Sequence, residues 1–519
     1  MQVTNGNMIK QFTVAKNANV PLLAINTPDP ASTMRAIKIM YPSNPIVQWD
    51  VINGATTITP QATEAVNKMN QLPDGSINAV LATGNPVEML MKVKALPENT
   101  ILVMSNAHMF TDKMLPGALA APCIQAIWNV RDHFRKRKSM LVLFAPTYHI
   151  PDELQHDIII LDEQLPRDKE LESIITKTFV SCGVRKPTRK TMPAIVDATS
   201  GLAPFAIEQI IRMSISKGRR GKTVVDMDQL WDRKIAKIES SVGLKIHRSG
   251  PTFDDIGGND NIKDYLRRIA RSGSKPALVV FLDEIEKSMA AAGTDTSGVT
   301  TDQLKVLLTE MQNNFWTGLI IYGFPGTGKS QLSKAFGGEA GALTVEADLG
   351  AMKHIWVGSS EARMRSFVKV IKAMGGNRVF FVATCNDISI LRPELKRRFK
   401  HGIWFGDLPT QEEKERIWQI YMKKFNLHHH TRPDDNGWTG AEIEVACEKS
   451  HEFNISLTDS CKYMTIVSHA MGTGVDKMRK NASGKYVSTQ HPGVYTFTPN
   501  PEPKPTPPVE HKGLFGKKG

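Results

Sequence analysis

The chain has 519 residues, of which 41% are hydrophobic and 23% are charged. The length excludes a single small domain, and the proportions, which are near the average of globular proteins, exclude a largely disordered chain. Lys and Arg outnumber Asp and Glu by 65 to 52, and the net charge of +13 is compatible with a polyanionic partner or with a solvated basic surface.

The five cysteines are scattered and form no C-x-x-C pair. This spacing argues against a zinc ribbon and a disulfide scaffold, and it favours a reducing compartment. The sequence has no apolar run of about 18 residues, and its first residues lack the apolar stretch of a signal peptide. We therefore predict a cytoplasmic protein that does not span a membrane.

The N-terminal region alternates short apolar runs with helical patterns. Ile101–Met104 and Met140–Phe144 are predicted to be buried strands, with a helix at Ala118–Arg131 between them. Strand, helix and strand in this order indicate a parallel α/β layer. We assign residues 1–245 to this N-terminal domain.

A second α/β region follows, with helices between most of its strands. The predicted strands are Leu278–Leu282, Leu319–Tyr322, Leu343–Ala347, Val379–Thr384 and Ile403–Phe405. Thr410 begins a capping-box pattern with Glu413, and only helical patterns follow it. We assign residues 246–408 to an α/β core and residues 409–471 to a small helical lid.

The C-terminal region, residues 472–519, is rich in Pro, Gly, Lys and Thr. Such a composition cannot bury enough apolar surface to fold alone, so we predict a flexible tail. The segment Tyr486–Phe497 is the exception, which we expect to dock on the body of the protein.

A phosphate-binding pattern, G-x-x-x-x-G-K-[ST], lies between a predicted strand and a predicted helix. Its glycines allow successive backbone N–H groups to converge on phosphates, and the helix N-terminus adds partial positive charge. In this pattern Lys329 neutralises the β- and γ-phosphates and Ser330 is a ligand of Mg²⁺. The alternative is a chance glycine-rich turn, which would not be expected to have a preceding strand, a lysine and a hydroxyl residue at the positions that the pattern requires. The predicted nucleotide-binding residues are Gly323, Pro325, Gly326, Thr327, Gly328, Lys329, Ser330 and Gln331.

Polar residues end two other predicted strands. Asp283 and Glu284 follow Leu278–Leu282, and a buried strand that stops at acids presents them where nucleotides bind in open α/β sheets. We expect Asp283 to hold Mg²⁺ through water and Glu284 to act as general base for the attacking water. Asn386 is placed to bond the γ-phosphate or that water. The alternatives are a helix N-terminus that favours acids and an Asn that caps its strand.

Together these residues resemble the AAA+ ATPases, and more narrowly the AAA group that includes FtsH, katanin and spastin. The resemblance covers about residues 253–450 and implies a parallel P-loop NTPase sheet with a helical lid. Asn386 resembles the sensor-1 residue. Ile256 and Gly257 lie in a segment that resembles the one that packs against adenine, and Gly440 and Ala441 resemble sensor-2 positions that border the nucleotide.

Leu391–Phe399 resembles the arginine-finger segment of this family, with Arg398 as the first choice for the finger and Arg397 as the second. In the family, the finger reaches the γ-phosphate bound by the neighbouring subunit and stabilises charge in the transition state. The resemblance therefore implies a homo-oligomeric ring, expected to be a hexamer. Alternatively, the two arginines only solvate a helix end.

Ile355–Gly358 resembles the pore loop of the same family, an aromatic, a hydrophobic residue and glycine that face the central channel. Trp356 and Val357 are then expected to grip an extended polypeptide substrate without specificity. The alternative is that Trp356 is an ordinary core aromatic.

The order of motifs departs from the family. There the phosphate loop precedes the acidic strand, whereas here Asp283 and Glu284 precede Gly323–Ser330. We interpret the segment from about residue 275 to 314 as transposed, and expect its strand to lie between Leu343–Ala347 and Val379–Thr384. This rearranged order resembles that of bacteriophage ATPases, for which the location would be the host cytoplasm.

The N-terminal domain resembles a second AAA-type core, similar to chloroplast and cyanobacterial AAA proteins whose first domain is degenerate. Ser105 and Asn106 stand in place of its acidic pair, and no phosphate-binding pattern occurs before Gly323. We expect a scaffold or partner-binding domain that does not hydrolyse ATP.

The leading hypothesis is an ATP- and Mg²⁺-dependent motor that remodels or unfolds polypeptides. No H-E-x-x-H pattern occurs, so the chain is not a self-contained protease of the FtsH type. Two alternatives remain open, namely a nucleic-acid motor or loader that serves phage replication, and a regulatory ATPase without motor activity.

Overall fold

The computed structural model describes residues 6–111, 120–217, 223–242, 244–248, 250–287, 299–347, 360–427 and 430–498. The described residues form two compact units. The first unit contains those within residues 1–246, 297–315 and 347–379, and the second contains those within 247–296, 316–346 and 380–519.

The N-terminal part of the chain alternates strands and helices, as the sequence predicts. Its strands are β1 (Leu22–Asn26), β2 (Ile46–Asp50), β3 (Gly54–Thr57), β4 (Ile101–Met104), β5 (Met140–Ala145), β6 (Ile159–Asp162), β7 (Ile215–Lys217), β8 (Thr223–Val225) and β9 (Leu244–His247). Its helices are α1 (Gly6–Asn17), α2 (Pro30–Met40), α3 (Thr63–Met69), α4 (Ala79–Thr83), α5 (Pro86–Lys92), α6 (His108–Thr111), α7 (Ala120–Lys136), α8 (Asp168–Ser181), α9 (Met192–Thr199), α10 (Pro204–Met213) and α11 (Met227–Val242).

Six of these strands form one sheet in the order β3-β2-β4-β5-β1-β6. Neighbouring strands are parallel, except that β3 runs antiparallel to β2. Every residue of β1, β4 and β5 is buried, as expected for strands covered on both faces. Successive residues enter two different cores, so that Leu102 and Met104 pack in one and Ile101 and Val103 in the other.

The remaining elements continue the α/β pattern and then become helical. The strands are β10 (Leu278–Leu282), β11 (Thr317–Gly323), β12 (Leu343–Ala347), β13 (Val379–Cys385), β14 (Ile403–Gly406) and β15 (Val487–Ser488). The helices are α12 (Asp260–Arg271), α13 (Val299–Asn313), α14 (Lys329–Ala340), α15 (Ser360–Gly375), α16 (Pro393–Arg398), α17 (Gln411–Lys424), α18 (Gly440–Phe453), α19 (Leu457–Ser460), α20 (Val467–Met471) and α21 (Gly474–Ala482).

The second sheet has the order β15-β14-β11-β13-β10-β12-β9. β11 is parallel to β13 and β14, and β15 is parallel to β14. The strand β10, which ends at the acidic pair, lies between β13 and β12, where the sequence predicts it. Helices α12 and α14 cover one face, where Leu266 and Phe336 join Val279, Leu319 and Phe380 in a continuous core.

The two sheets share an order of strands. Five strands of the first sheet run β2-β4-β5-β1-β6, and the corresponding five of the second run β12-β10-β13-β11-β14. In the first sheet β4 follows β1 along the chain, whereas in the second β10 precedes β11. The counterpart of β4 in the second sheet is β10, and it comes before β11, the counterpart of β1, along the chain.

The first unit includes two helices from beyond residue 246, α13 and α15. Within this unit, Lys369 Nζ of α15 lies 3.1 Å from Asp162 Oδ1 at the end of β6. The sequence predicts both helices within one core at 246–408, so the compact units do not follow the predicted boundaries along the chain.

The lid has a core of its own. The rings of Trp418 and Trp438 lie 6.0 Å apart, and Ile443 and Leu457 are fully buried beside them. The predicted capping box is present, because Glu413 N donates to Thr410 Oγ1 at 3.3 Å and Thr410 N donates to Glu413 Oε2 at 2.9 Å.

The structure differs from the sequence prediction in residues 474–498, which include α21 and β15 rather than a uniformly flexible tail. Tyr495 is buried, and its ring centroid lies 4.6 Å from that of Phe405 on β14. Packing against the sheet edge thus orders a segment whose composition alone predicts little structure. The predicted docking of Tyr486–Phe497 agrees with these contacts.

In the part of the chain that the structure describes, no single helix is long and apolar enough to cross a membrane. The bent pair α9 and α10, with 116° between its members, meets the same criterion of length and composition when the two helices are taken together.

Candidate nucleotide-binding site

A cavity of about 290 Å³ opens where β10, β11 and β13 end. The loops after these three strands and after β14 line it together with the segment before α12, residues of α17 and α18, and Gln490. Strands of an open α/β sheet bring their carboxyl ends to one edge, which explains why distant loops meet here. The lining residues are Asp255, Ile256, Gly257, Gly258, Asn259, Asp283, Glu284, Pro325, Gly326, Thr327, Gly328, Lys329, Ser330, Gln331, Thr384, Asn386, Asp407, Pro409, Glu413, Ile417, Tyr421, Gly440, Ala441, Glu444 and Gln490.

Lys329 is buried within the phosphate-binding loop. Its Nζ donates to the carbonyl oxygens of Gly323 at 3.0 Å and Phe324 at 2.6 Å. Burial lowers the pKa of Lys329 to about 8, although nearby acids, Glu286 first among them, act in the opposite direction. An anionic phosphate would give this ammonium a stronger, charge-assisted acceptor than the two neutral carbonyl groups.

Gly326 is required by the close approach of the lid to the loop. Its φ is +79°, and a Cβ atom there would lie 2.5 Å from Thr439 Oγ1 and 3.1 Å from the Ala441 Cβ. The Ala441 N–H also donates to the Gly326 carbonyl oxygen at 3.2 Å. The start of α18 is therefore bonded directly to the phosphate-binding loop.

Thr384 connects the acidic pair to the neighbouring strand. Ser330 Oγ and Thr384 Oγ1 both donate to Asp283 Oδ1, at 3.0 and 2.5 Å. The Glu284 N–H donates to Thr384 Oγ1 at 2.9 Å. Glu284 has a φ of +45°, a backbone conformation uncommon for residues other than glycine. The Thr384 hydroxyl thus bonds directly to the Asp283 carboxylate and holds Glu284 by its backbone N–H.

The donors at Asp283 and Ser330 fit a magnesium ion. A carboxylate and a hydroxyl at hydrogen-bond distance are the hard oxygen donors that Mg²⁺ prefers, and it usually completes its shell with water and phosphate oxygens. Within the described residues, no group of three or more His, Cys, Asp or Glu side chains is arranged to hold a metal ion. The two donors therefore suit a metal that arrives with a phosphate ligand.

Asn386 is brought directly to Glu284. Asn386 Nδ2 donates to Glu284 Oε1 at 3.0 Å, and Lys287 forms an ion pair with the same carboxylate. The backbone N–H of Asn386 donates to the buried Glu286 at 2.9 Å. These bonds place a carboxylate base and an amide donor side by side at the cavity wall, a pairing suited to orienting a water molecule against a phosphate.

The segment before α12, residues 255–259, lines another part of the cavity. Lys263 Nζ donates to the Ile256 carbonyl oxygen, and burial lowers the pKa of Lys263 to about 8. This bond fixes the backbone of Ile256 and Gly257 at the cavity. Gly440 and Ala441, the first residues of α18, line the same cavity.

Some predicted residues lie elsewhere. Gly323 does not line the cavity, and its carbonyl group instead accepts a hydrogen bond from Lys329. Arg397 and Arg398 close α16 and are not among the lining residues. The predicted pore-loop residues Trp356 and Val357 lie outside the described residues.

Sequence patterns miss several lining or supporting residues. Thr384 has a weak signal, because it is a hydroxyl residue near the end of an apolar strand. Glu413 is recognised only as part of a capping box, although it also contacts Asn259. Lys263 is one of many helical lysines, and Gln490 lies in a segment that resembles a flexible tail, so neither has a local signal.

We expect Thr384→Val to raise the Mg²⁺ concentration for half-maximal nucleotide turnover about tenfold, since residues that orient metal ligands affect metal affinity by this order. Valine keeps the shape but removes the hydroxyl that donates to Asp283. A Mg²⁺ titration of turnover measures the effect, and Thr384→Ser should restore the wild-type value. An unchanged Mg²⁺ requirement in the valine variant would contradict the positioning role.

The corresponding edge of the first sheet has no phosphate-binding loop. Only residues 27–29 connect β1 to α2. Asp29 accepts hydrogen bonds from the N–H of Ser32 at 3.1 Å and of Phe205 at 3.0 Å. A carboxylate of the chain therefore occupies the helix N-terminus, where an anionic ligand would otherwise bind.

The residues after β4 have a backbone conformation similar to that of the residues after β10, but none of them is acidic at the corresponding positions. Ser105 and Asn106 follow β4, and Asn106 has a φ of +56°, close to the +45° of Glu284. Asparagine tolerates this conformation but supplies no general base.

Two segments of the chain match family models. Residues 8–163 match the N-terminal domain of SpoVK-like AAA ATPases, and residues 319–376 match the ATPase family associated with various cellular activities (AAA). The chain is related to the AAA ATPases. The AAA segment includes the phosphate-binding loop, whereas Asp283 and Glu284 lie before its start. This relationship supports nucleotide binding and ATP hydrolysis.

Two of the following relatives cover most of this chain at low identity. An uncharacterized AAA domain-containing protein ycf46 of Guillardia theta is 22% identical over 92% of this chain and 95% of its own. The peroxisomal ATPase PEX6 of Candida glabrata is 21% identical over 78% of this chain and 41% of its own. A proteasome-activating nucleotidase of Sulfurisphaera tokodaii is 25% identical over 32% of this chain and 55% of its own.

Proposed function

We propose that this chain hydrolyses ATP with Mg²⁺ and couples hydrolysis to the remodelling of polypeptides in a ring of identical subunits. The observation that carries the proposal is the meeting of Lys329, Ser330, Asp283, Glu284 and Asn386 in one cavity. These side chains come from three strand ends, and each offers a group that phosphoryl transfer to water needs.

Each group has a part in the reaction. Lys329 binds the β- and γ-phosphates, while Ser330 and Asp283 hold Mg²⁺, which supplies charge stabilisation when it is bound. Glu284 accepts a proton from the attacking water, and Asn386 orients that water or the γ-phosphate. The bond between Asn386 and Glu284 at 3.0 Å supports this division of roles.

The base of the nucleotide would lie between two backbone segments. Ile256 and Gly257 line the cavity from the segment before α12, and Gly440 and Ala441 line it from the lid. Both segments contact the phosphate-binding loop, since Ala441 bonds to Gly326 and Asn259 Nδ2 donates to the Thr327 carbonyl oxygen at 3.2 Å. This arrangement supports adenine binding at the junction of core and lid.

The ring assembly rests on the resemblance to the family and on the composition of the cavity. The cavity lining contains no arginine among the described residues, and Arg398 and Arg397 end a helix apart from it. A guanidinium from a neighbouring subunit would complete the site, with Arg398 as the first choice. The family ring is expected to be a hexamer.

A polypeptide substrate is the part of the proposal that rests on resemblance alone, through Trp356 and Val357. One relative is named a proteasome-activating nucleotidase, which is compatible with action on proteins. Stimulation of hydrolysis by unfolded protein, but not by single-stranded DNA, distinguishes this function from that of a nucleic-acid motor. Stimulation by neither would favour a regulatory ATPase.

The same resemblance supports the domain organisation. We assign residues 1–245 to a domain that binds partners or supports the ring, 246–408 to the ATPase core with a rearranged motif order, and 409–471 to the lid. The carboxylate of Asp29 at the end of β1 supports a first domain without ATP hydrolysis. A bacteriophage source stays a prediction from the motif order.

The test of ATP hydrolysis is phosphate release from Mg-ATP by the full chain, with Lys329→Met as the binding-deficient variant. We expect Lys329→Met to weaken ATP binding about thirtyfold or more, because a buried charge-assisted bond to phosphate is lost. Fluorescent ATP analogues measure this affinity. Lys237→Met, on the exposed face of α11, is the matched control and should bind ATP normally. A wild-type chain that neither binds nor hydrolyses ATP would overturn the proposal.

A further inference from the structure

The segment of residues 474–498, here called the C-terminal strap, is fastened to the second sheet. Its strand β15 pairs with β14, where Val487 lies opposite Trp404. Beyond that strand, Asp407 accepts hydrogen bonds from Arg479 Nε at 2.9 Å and from the Tyr495 hydroxyl at 2.6 Å. Asp407 also lines the nucleotide cavity, so the strap is anchored at the edge of the site.

The strap also holds the start of α12. Asn261 Nδ2 donates to the carbonyl oxygens of Ser488 at 2.7 Å and His491 at 2.8 Å. The Ile262 N–H donates to the Thr489 carbonyl oxygen at 3.1 Å. Residues 256–259, here called the base loop, lead directly into this helix, so the strap and the base loop share one support.

Gln490 is a strap residue that reaches the nucleotide cavity. It lines the nucleotide cavity, and its Nε2 donates to Glu413 Oε2 at 2.6 Å and to the Leu408 carbonyl oxygen at 3.0 Å. A side chain that served only to fasten the strap would not need to reach the cavity, because β15, Arg479 and Tyr495 already supply anchors.

Glu413 connects Gln490 to the base loop through hydrogen bonds. Glu413 is 5% exposed, and its Oε1 accepts the Asn259 N–H at 2.7 Å. A buried carboxylate needs donors around it, and Gln490 supplies one of the three that surround Glu413, with Asn259 and Thr410 as the others. Gly258 permits the close approach, because a Cβ atom there would lie 2.7 Å from Glu413 Oε1.

We propose that Gln490 is a positioning residue of the nucleotide site, which holds Glu413 and thereby the base loop in the shape that binds the nucleotide base. The C-terminal strap is then a working part of the site. This inference rests on the proposed ATPase function. It predicts a role in nucleotide affinity and none in the chemical step, because Gln490 contacts the base side and not the Asp283–Glu284 side.

The test compares Gln490→Met, which removes the amide at similar volume, with Gln490→Lys, which restores a donor toward Glu413. We expect Gln490→Met to raise the KM for ATP and the Kd for a fluorescent ADP analogue about tenfold, the effect of one charge-assisted hydrogen bond. The kcat should stay within about twofold, since the catalytic carboxylates are untouched. Gln490→Lys should recover most of the affinity.

Lys485→Ala is the matched control, because Lys485 is an exposed strap residue outside the cavity lining. It should leave KM, kcat and Tm at the wild-type values. The inference is overturned if Gln490→Met has wild-type KM and Kd, or if it lowers Tm and kcat together without recovery in Gln490→Lys. A wild-type chain that fails to bind ATP would overturn the proposed function instead, so the two failures are distinguishable.

Discussion

Glu284→Gln is expected to lower the kcat for ATP hydrolysis by about 10² to 10⁴, while ATP binding stays near the wild-type affinity. Glutamine keeps the shape of the side chain and can still accept the bond from Asn386 Nδ2. It cannot take a proton from water, so the loss falls on the chemical step. Single-turnover phosphate release measures the rate, and equilibrium titration with a fluorescent ATP analogue measures the affinity.

Glu448→Gln is the matched control for this change, because Glu448 is an exposed acid on α18 that does not line the cavity. Its kcat should stay within about twofold of the wild type, as expected for a surface substitution away from the site. Wild-type turnover in Glu284→Gln would contradict the role of general base. Loss of ATP affinity in that variant would instead assign Glu284 to binding.

Arg398→Ala is expected to lower kcat by about 10³ or more, because a guanidinium that stabilises transition-state charge contributes rate factors of this order. If the arginine acts on the neighbouring site, two inactive variants should complement each other. An Arg398→Ala subunit has an intact cavity, and a Glu284→Gln subunit can supply its finger. Mixed assemblies should therefore recover a measurable fraction of phosphate release.

Arg392→Ala is the control for the arginine prediction, since Arg392 is exposed and precedes the same helix. Arg397→Ala should have a smaller effect than Arg398→Ala. The role in trans is wrong if mixtures that demonstrably co-assemble show no recovery, or if the Glu284→Gln chain stays monomeric with saturating ATP in a size measurement.

Five of the seven strands of the second sheet follow closely from the sequence, and β9 and β15 are not among them. Leu278–Leu282 and Leu343–Ala347 have the predicted bounds, β13 and β14 are each one residue longer than predicted, and β11 is three residues longer. Runs of apolar and β-branched residues bounded by glycine or polar residues carry this information locally, because a parallel strand is buried on both faces. The grouping of α13 and α15 with the first unit has no such signal, since it depends on which surfaces pack together.

The phosphate side of the site is largely predictable, whereas the contacts that support residues 256–259 are not. Lys329 and Ser330 lie in one contiguous pattern, and Asp283, Glu284 and Asn386 are recognised as polar ends of apolar strands. Glu413 and Gln490, in contrast, meet across 77 residues of chain. No periodicity or local composition encodes a contact at that separation.

The sequence by itself determined the phosphate-binding loop, the acidic strand end and the α/β class, because these depend on backbone preferences and burial patterns of neighbouring residues. The tertiary structure decided that β15 pairs with β14 at the sheet edge, that Thr384 bonds to Asp283, and that the C-terminal strap reaches the nucleotide cavity. The physical reason is that strand order and long-range hydrogen bonds arise from the packing of whole elements, and each element alone is compatible with several neighbours.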